Sequence, residues 1–325
     1  MTRNKTFWIG LIGLVICHLA IIINWQPIKE WFYITVWWSY ILFIDGIIYK
    51  IKSNSLIISR TKAFLLMLPW SVALWLVFEL FNVGLQNWYY VNIVPHLLER
   101  WLGYFIAFAT VLPGIFETAE LFEVVGIFKK LKNGETKEQR NNYGNTPFSS
   151  SVLIFVLGVI LFILPFILPQ YFFPVIWLSF IFLLEPINYR LGGNDGGLLF
   201  RKEWRTILRL SFAGLVCGLL WEVWNWHTVA HWVYALPYFH YLQIFQMPVL
   251  GYLGFLPFAL ECYLMYEFVV INGWSRSWLD TNAGKIEKRK IKIIYLIIAY
   301  LLLIIFILGV FNLIDNFTVR SFAER

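Results

Sequence analysis

The sequence predicts an all-α, polytopic membrane protein, and three observations support this fold class. Of its 325 residues, 60% are hydrophobic and only 14% are charged, which lies outside the range of soluble globular domains. The apolar residues form blocks of roughly 20, the length of helix that crosses ~30 Å of hydrocarbon. The charged residues fall mostly between those blocks.

About nine transmembrane helices follow from these blocks. The predicted spans are 7–24, 31–49, 64–82, 103–128, 151–168, 171–189, 206–225, 248–272 and 291–314. The first block follows basic residues, as in a signal peptide, but no small-residue cleavage site follows it. We therefore expect it to be a retained span.

The loops alternate in charge along the chain. The N-terminal tail and the segments 50–62, 129–146, 190–205 and 273–290 are basic, whereas the intervening loops carry almost no net positive charge. By the positive-inside rule, this pattern predicts a multi-pass cell-membrane protein with a cytoplasmic N-terminus and an external C-terminus. The net charge of +7 is explained by topology, so we expect no nucleic-acid partner.

Rare polar residues recur in the same order in the two halves of the chain. The matching pairs are Glu79-x-x-Asn82 with Glu222-x-x-Asn225, Trp88-x-Tyr90 with Trp232-x-Tyr234, and Pro113-x-x-x-Glu117 with Pro257-x-x-x-Glu261. Their separations are all 143 or 144 residues. Each unit has four spans, an even number, so both units enter the membrane in the same direction. The sequence thus predicts two parallel four-helix repeats.

This repeat sets the domain boundaries. We predict a first repeat at 1–128, a cytoplasmic linker at 129–150, a second repeat at 151–272 and a second linker at 273–290. The segment 291–325 is an extra transmembrane helix with an external tail and has no counterpart.

Four intramembrane glutamates are the candidate catalytic residues, because a charged group at the centre of a span costs ~2.5–3.5 kcal/mol on insertion scales. Glu79 and Glu222 fall near the outer ends of their helices. Glu117 and Glu261 fall near the middle of theirs, four residues after a proline. Since proline interrupts the helical hydrogen bonds, this pair is the harder one to explain as purely structural.

Residues near the outer pair are candidate substrate-binding groups. They are Asn82, Asn225, Trp88, Trp232, Tyr90 and Tyr234. The segments that bear Trp-x-Tyr are expected to close a cavity from the aqueous side. In the alternative interpretation, the tryptophans are interfacial anchors and the outer glutamates bond to helix ends.

Other acidic residues have a simpler interpretation. Asp45, Glu185, Glu123 and Glu267 fall near cytoplasmic helix ends, where pairing with lysine or arginine is expected. We predict no metal and no cofactor. His227 and His231 have metal-ligand spacing but are interpreted as interfacial, because the first half has Val83 and Asn87 at those positions.

The order of these motifs resembles the heterodimer-type lycopene cyclases and their fused forms. The resemblance covers Glu79–Glu117 and Glu222–Glu261: an acid at a helix end, Trp-x-Tyr, a glycine, and a proline helix that bears glutamate. This sequence has glutamate for the family's aspartate, Pro-x-x-x-Glu for Pro-x-Glu-Glu, and four spans per unit instead of three. The resemblance implies proton-initiated cyclisation or rearrangement of an isoprenoid. Glu117 and Glu261 would then be proton donors or bases, supported by Glu79 and Glu222.

Three functions remain open at this stage. The chain is an enzyme that acts on a polyprenoid or another lipid, a secondary transporter or channel that uses the same glutamates, or a non-catalytic membrane partner. Its expected partners are membrane lipids and a lipophilic small molecule. The sequence leaves the oligomeric state open.

The predicted topology can be tested with an epitope tag in segment 129–146. We expect an antibody to bind this tag only after the membrane is permeabilised, because the basic loops remain cytoplasmic. A tag in segment 226–247 is the matched control and should bind antibody in intact cells. Binding to the first tag in intact cells would contradict the orientation.

Overall fold

The computed structural model of the protein describes residues 5–131, 148–192, 197–236, 242–279 and 292–323. Within these ranges, nine helical segments are long and apolar enough to cross a membrane. The helical, multi-pass architecture predicted from the sequence is therefore confirmed for the described residues. Much of both predicted linkers, 129–150 and 273–290, lies outside these ranges.

The first half contributes four of these segments. Its helices are α1 (Lys5–Ile22), a short α2 (Gln26–Glu30), α3 (Phe32–Lys52), α4 (Thr61–Leu85), α5 (Leu97–Phe108) and α6 (Val111–Val124). The fourth segment runs from Leu97 to Val124 rather than over 103–128, and it is divided between α5 and α6.

The break between α5 and α6 is stabilised from a neighbouring helix. Pro113 lies in the first turn of α6, where the missing N–H removes no intrahelical bond. The hydroxyl of Ser71 on α4 donates to the Phe108 carbonyl at 2.8 Å and accepts from the Leu112 N–H at 3.0 Å. The backbone groups that the break releases thus find a side-chain partner, as an apolar environment requires.

The second half contributes four segments and is followed by one more. It comprises α7 (Phe148–Ile167), α8 (Pro169–Phe172), a 3₁₀ turn (Phe173–Val175), α9 (Ile176–Leu191), α10 (Trp204–His227), a 3₁₀ helix (Val249–Gly254) and α11 (Phe255–Ile271). The segment that follows is α12 (Ile293–Phe317). Pro257 lies in the first turn of α11, as Pro113 does in α6.

Two short strands depart from the all-α prediction. β1 (Trp88–Val91) follows α4, β2 (His231–Tyr234) follows α10, and the two pair antiparallel. Trp88 lies opposite Tyr234, and Tyr90 lies opposite Trp232. Strands form here because the two connections share one end of the bundle and satisfy each other's backbone groups. Two further strands of two residues each, β3 (Gln243–Ile244) and β4 (Met247–Pro248), pair with each other later in the second connection.

The helices of each half pack in the same pattern. In the first half, α3 contacts α1 and α6, and α6 contacts α4. In the second half, α9 contacts α7 and α11, and α11 contacts α10. The halves meet where α10 packs against α6 and α3. Trp37 lies at this contact, with its ring 4.8 Å from that of Trp224 and 5.5 Å from that of Trp221.

The last helix, α12, packs on α4 and is fixed by one ion pair. Asp315 accepts two hydrogen bonds from the Arg100 guanidinium, at 2.9 and 2.8 Å, and both side chains are nearly buried. Trp101 and Tyr104 also donate to Asp315. The chain beyond α12 then bonds to β1, since the Tyr90 N–H donates to the Thr318 carbonyl at 2.8 Å.

Ser71→Ala should destabilise the protein by about 2–4 kcal/mol, because it leaves the Phe108 carbonyl and the Leu112 N–H unsatisfied in the interior. The control is Ser179→Ala, since the fully buried Ser179 hydroxyl bonds only to a carbonyl of its own helix. Thermal unfolding in detergent measures both variants. Equal midpoints for the two variants would show that Ser71 does not support the break.

Candidate functional site

A cavity of about 220 Å³ lies between the halves, at the end of the bundle where β1 and β2 pair. Its wall is largely aromatic. The aromatic residues are Trp31, Tyr33, Trp75, Trp88, Tyr90, Tyr104, Phe108, Phe173, Trp177, Trp221, Trp232, Tyr234, Phe255 and Phe258. Exposed Glu30 and partly exposed Glu99 mark its polar edge.

Phe258 on α11 joins the two halves beneath this cavity. Its ring lies 5.9 Å from Trp75 of the first half, and 5.5 and 5.7 Å from Trp177 and Trp221 of the second. The rings meet mostly edge to face, the arrangement that aromatic quadrupoles favour. The aromatic wall is therefore built from both halves of the chain.

Glu222, on α10, belongs to the cavity wall. Its side chain is fully buried, and its Oε1 accepts a hydrogen bond from the Tyr234 hydroxyl at 2.7 Å. Its Oε2 has no hydrogen-bond partner among the described residues. The cavity wall thus contains a buried carboxyl oxygen without a partner among the described residues.

Glu79 occupies the matching place on α4, and its Oε2, like that of Glu222, has no hydrogen-bond partner among the described residues, but its Oε1 accepts more hydrogen bonds. Its Oε1 accepts from the Tyr90 hydroxyl at 2.5 Å, the Trp75 indole at 3.0 Å and the Trp88 indole at 3.2 Å. These three donors line the cavity, whereas Glu79 itself is not among the lining residues. Glu79 is thus separated from the cavity by its own partners.

A difference at one position between the two halves explains part of this contrast between Glu79 and Glu222. Trp75 lies four residues before Glu79, and Gly218 lies four residues before Glu222. A Cβ at position 218 would collide with the Phe255 ring, so the second half has no room for a tryptophan there. Glu222 consequently has no indole donor from its own helix that corresponds to Trp75.

The two asparagines hold the strands to the helix ends. Asn82 donates to the Trp88 carbonyl at 2.8 Å and accepts from the N–H groups of Asn87 and Trp88. Asn225 donates to the Trp232 carbonyl and accepts from the Trp232 N–H, both at 2.9 Å. Neither asparagine lines the cavity, whereas the four aromatic residues that we predicted with them do.

The tyrosine hydroxyls that bond to the two glutamates remain protonated donors. Burial and the adjacent carboxyl of Glu79 raise the pKa of Tyr90 well above its usual range. Burial and Glu222 do the same to the pKa of Tyr234. Each tyrosine therefore fixes one carboxyl oxygen and leaves the other to interact elsewhere.

Glu117 and Glu261, the other predicted catalytic pair, are fully buried but are not among the residues that line this cavity. Glu117 lies beside the carboxyl of Asp45, and neither of its oxygens has a hydrogen-bond donor among the described residues. Glu261 accepts from the Phe180 N–H at 2.9 Å, and its Oε2 has no partner. The structure thus separates the two predicted catalytic pairs.

The remaining acids mostly stabilise the fold, but not all of them do so through ion pairs. Asp45 accepts from the Ile57 N–H at 2.7 Å, and Glu185 accepts from the N–H groups of Leu198 and Phe200 at 2.9 Å. Both carboxylates therefore hold the loop after their helix. The expected pairing with a basic residue is not found for Asp45 among the described residues, whereas Glu185 is attracted by the nearby Arg201.

The last two of these acids differ from each other. Glu123 forms the expected ion pair, with Arg209 at 2.6 Å. Glu267 instead accepts hydrogen bonds from Asn188, the Gly197 N–H and the Tyr263 hydroxyl.

Sequence reasoning missed Trp75, Trp177 and Phe258 as wall residues. An aromatic residue inside an apolar span looks like ordinary core, so no local signal marks it. The one usable signal, which the sequence-based prediction did not take up, is the spacing of Trp75, four residues before Glu79, since residues four apart on a helix share a face.

Searches for similar proteins found no matching protein family, no related characterised protein and no similar solved structure. Among the described residues, no group of three or more histidines, cysteines or acids could hold a metal ion. His231 belongs to the cavity wall and bonds to the Val229 carbonyl at 2.9 Å.

Asn82→Ala should lower the free energy of unfolding by about 2–4 kcal/mol, because it leaves three buried backbone groups near β1 without partners. Asn272→Ala is the control, since Asn272 makes one bond, to a carbonyl of its own helix end. Thermal unfolding followed by tryptophan fluorescence measures both. A loss no larger than that of the control would mean that Asn82 does not hold β1.

Proposed function

We propose that this chain is a membrane enzyme that performs acid–base chemistry, a cyclisation or rearrangement, on a polyprenoid or another apolar lipid. One observation carries the proposal: the aromatic cavity includes the buried carboxyl of Glu222, with Oε2 unpartnered. Apolar surroundings destabilise an unpaired carboxylate by several kcal/mol, so they favour the protonated form of Glu222. Glu222 is therefore the proposed acid.

The proposed reaction requires no cofactor, because its electrons balance without an oxidant. Glu222 Oε2 transfers its proton to one carbon of a terminal C=C bond, which forms a C–H bond and leaves a carbocation on the neighbouring carbon. In a cyclisation, a second C=C bond attacks this cation and closes a ring through a new C–C bond. Loss of a proton from an adjacent carbon to the Glu222 carboxylate forms a C=C bond and restores the acid.

The aromatic wall would stabilise the cationic intermediate. A cation over the face of Trp, Tyr or Phe gains ~0.5–2 kcal/mol from the ring quadrupole. Trp177, Trp221 and Phe258 present such rings on the cavity wall. An apolar substrate would enter laterally from the lipid, so membrane lipids are its expected surroundings.

The same proposal assigns different roles to the two halves. We infer that they are copies of one parallel four-helix unit, because Glu79 and Glu222 each bond to the tyrosine of a Trp-x-Tyr strand. Glu79 would be a positioning residue, since its donors separate it from the cavity. The lycopene-cyclase resemblance supports the chemistry but would place the proton donors at Glu117 and Glu261. The cavity favours Glu222 for that role.

Expression of the protein in a host that makes polyprenoids should change the lipid extract, as measured by chromatography and mass spectrometry. Glu222→Gln should abolish the change, because an amide cannot donate the proton. Glu261→Gln distinguishes the two assignments, since it should retain the activity if Glu222 is the acid. Glu123→Gln is the control, because Glu123 is 52% exposed and bonds to Arg209.

Loss of activity in Glu261→Gln, with activity retained in Glu222→Gln, would show that the proton donor is Glu261 on α11. An unchanged lipid extract across several polyprenoid-producing hosts would contradict the enzyme proposal. Flux of a solute in proteoliposomes would then indicate the transporter, and a co-purifying protein would indicate the non-catalytic partner.

A further inference from the structure

A second group of buried polar atoms lies far from the aromatic cavity. Asp45 on α3 and Glu117 on α6 are both fully buried, and their carboxyls lie within hydrogen-bonding reach of each other. Tyr33, at the other end of α3, lines the cavity. Twelve residues of helix separate Tyr33 from Asp45, a rise of about 18 Å.

Most oxygen atoms of this group have no hydrogen-bond donor among the described residues. Among the described residues, both oxygens of Glu117 and Oδ2 of Asp45 have no hydrogen-bond partner. The fully buried hydroxyl of Ser55 lies beside Asp45 and makes no hydrogen bond of regular geometry. Asp45 Oδ1 alone is fixed, by the Ile57 N–H at 2.7 Å. Four buried oxygen atoms thus converge without a positive group between them.

The nearest cation is engaged elsewhere. The Arg60 guanidinium forms two hydrogen bonds to Glu120, at 2.5 and 2.7 Å, and a third to the Trp278 carbonyl. Lys52 also pairs with Glu120. Arg60 contributes only a longer-range attraction to Glu117. Two adjacent buried carboxyls cannot both be ionised without a compensating charge, so one positive charge is missing from this group.

We propose that Asp45, Glu117 and Ser55 form a binding site for one exchangeable monovalent cation, H⁺ or Na⁺. A proton would be shared between the two carboxyls, whereas Na⁺ would take both carboxylates and the Ser55 hydroxyl as oxygen ligands. The other ionisable groups near the site, Tyr40 and Cys217, are neutral donors and supply no positive charge.

The second half lacks this arrangement. Glu261 corresponds to Glu117, but it receives the Phe180 N–H. Glu185 corresponds to Asp45, because each acid lies four residues before a tyrosine near the end of its helix, at Tyr189 and Tyr49. The backbone N–H groups of Leu198 and Phe200 engage both oxygens of Glu185. The cation site therefore belongs to the first half alone, and Glu261 provides a matched control.

Occupancy of this site bears on the cavity through two helices. α3 reaches the cavity wall with Tyr33 and Ile34, and α6 reaches it with Val111. A cation between Asp45 and Glu117 holds these two helices together at a distance from the cavity, whereas two bare carboxylates repel each other. The site is thus placed to couple cation binding to the walls of the cavity, whatever the cavity binds.

The test uses the full-length protein in detergent. Its unfolding midpoint is measured between about pH 6 and 9, once in NaCl and once in choline chloride. In choline, we expect the wild-type midpoint to fall with rising pH, because the proton between the carboxyls is lost. Glu117→Gln and Asp45→Asn should flatten this dependence, since an amide satisfies the remaining carboxylate. Glu261→Gln should keep the wild-type dependence.

The salt comparison identifies the cation. If the wild-type midpoint at high pH is restored by NaCl but not by choline chloride, and NaCl has no such effect on Glu117→Gln, the site takes Na⁺. If the pH dependence is lost in both amide variants without any effect of Na⁺, the site takes a proton. Equal responses to pH and Na⁺ in the wild type and both amide variants would overturn the proposal. The lipid assay plays no part, so this result is independent of the proposed enzyme activity.

Discussion

The end of the bundle that holds the aromatic cavity depends on the pairing of β1 with β2. The connections that follow α4 and α10 cross beside an apolar bundle, where unpaired backbone N–H and C=O groups are strongly disfavoured. Each connection satisfies the other's backbone, and one asparagine in each half ties its strand to the preceding helix. The pairing carries Tyr90 and Tyr234 onto two buried glutamates. The aromatic cavity lies directly against this ribbon.

Of the three glutamates that line the cavity, Glu222 is the fully buried one, and local differences between the halves set its surroundings apart from those of Glu79. Trp75 completes a set of three donors on Glu79, whereas Gly218 in the second half makes room for Phe255. The tail that follows α12 bonds to β1, and Asp315 fixes α12 to Arg100. The first half is therefore held by several side-chain and backbone bonds at the cavity end of the bundle. The second half presents Glu222, with one oxygen free, to the cavity.

The spans, the strands and Asp45 show how much of the structure could be predicted from the sequence. The spans were predictable because hydrophobic length is a local property, and the boundaries agree within a few residues for most helices. The strands were not predictable, since four residues between two spans carry no periodic signal. Asp45 was expected to pair with a basic residue because lysines and an arginine follow it in sequence. The backbone N–H of Ile57 took that place, since the loop folds back onto the helix end.

The sequence by itself determined that this chain crosses a membrane and which carboxyls lie inside it, because both follow from the order of polar and apolar residues. Tertiary structure decided what those carboxyls face. The sequence favoured Glu261 over Glu222 as the functional residue, yet Glu222 is the one of the two that lines the cavity. Asp45 and Glu117 meet across 72 positions of chain. Helix rotation and the choice of neighbouring helix set these contacts, and both depend on packing among residues distant in sequence.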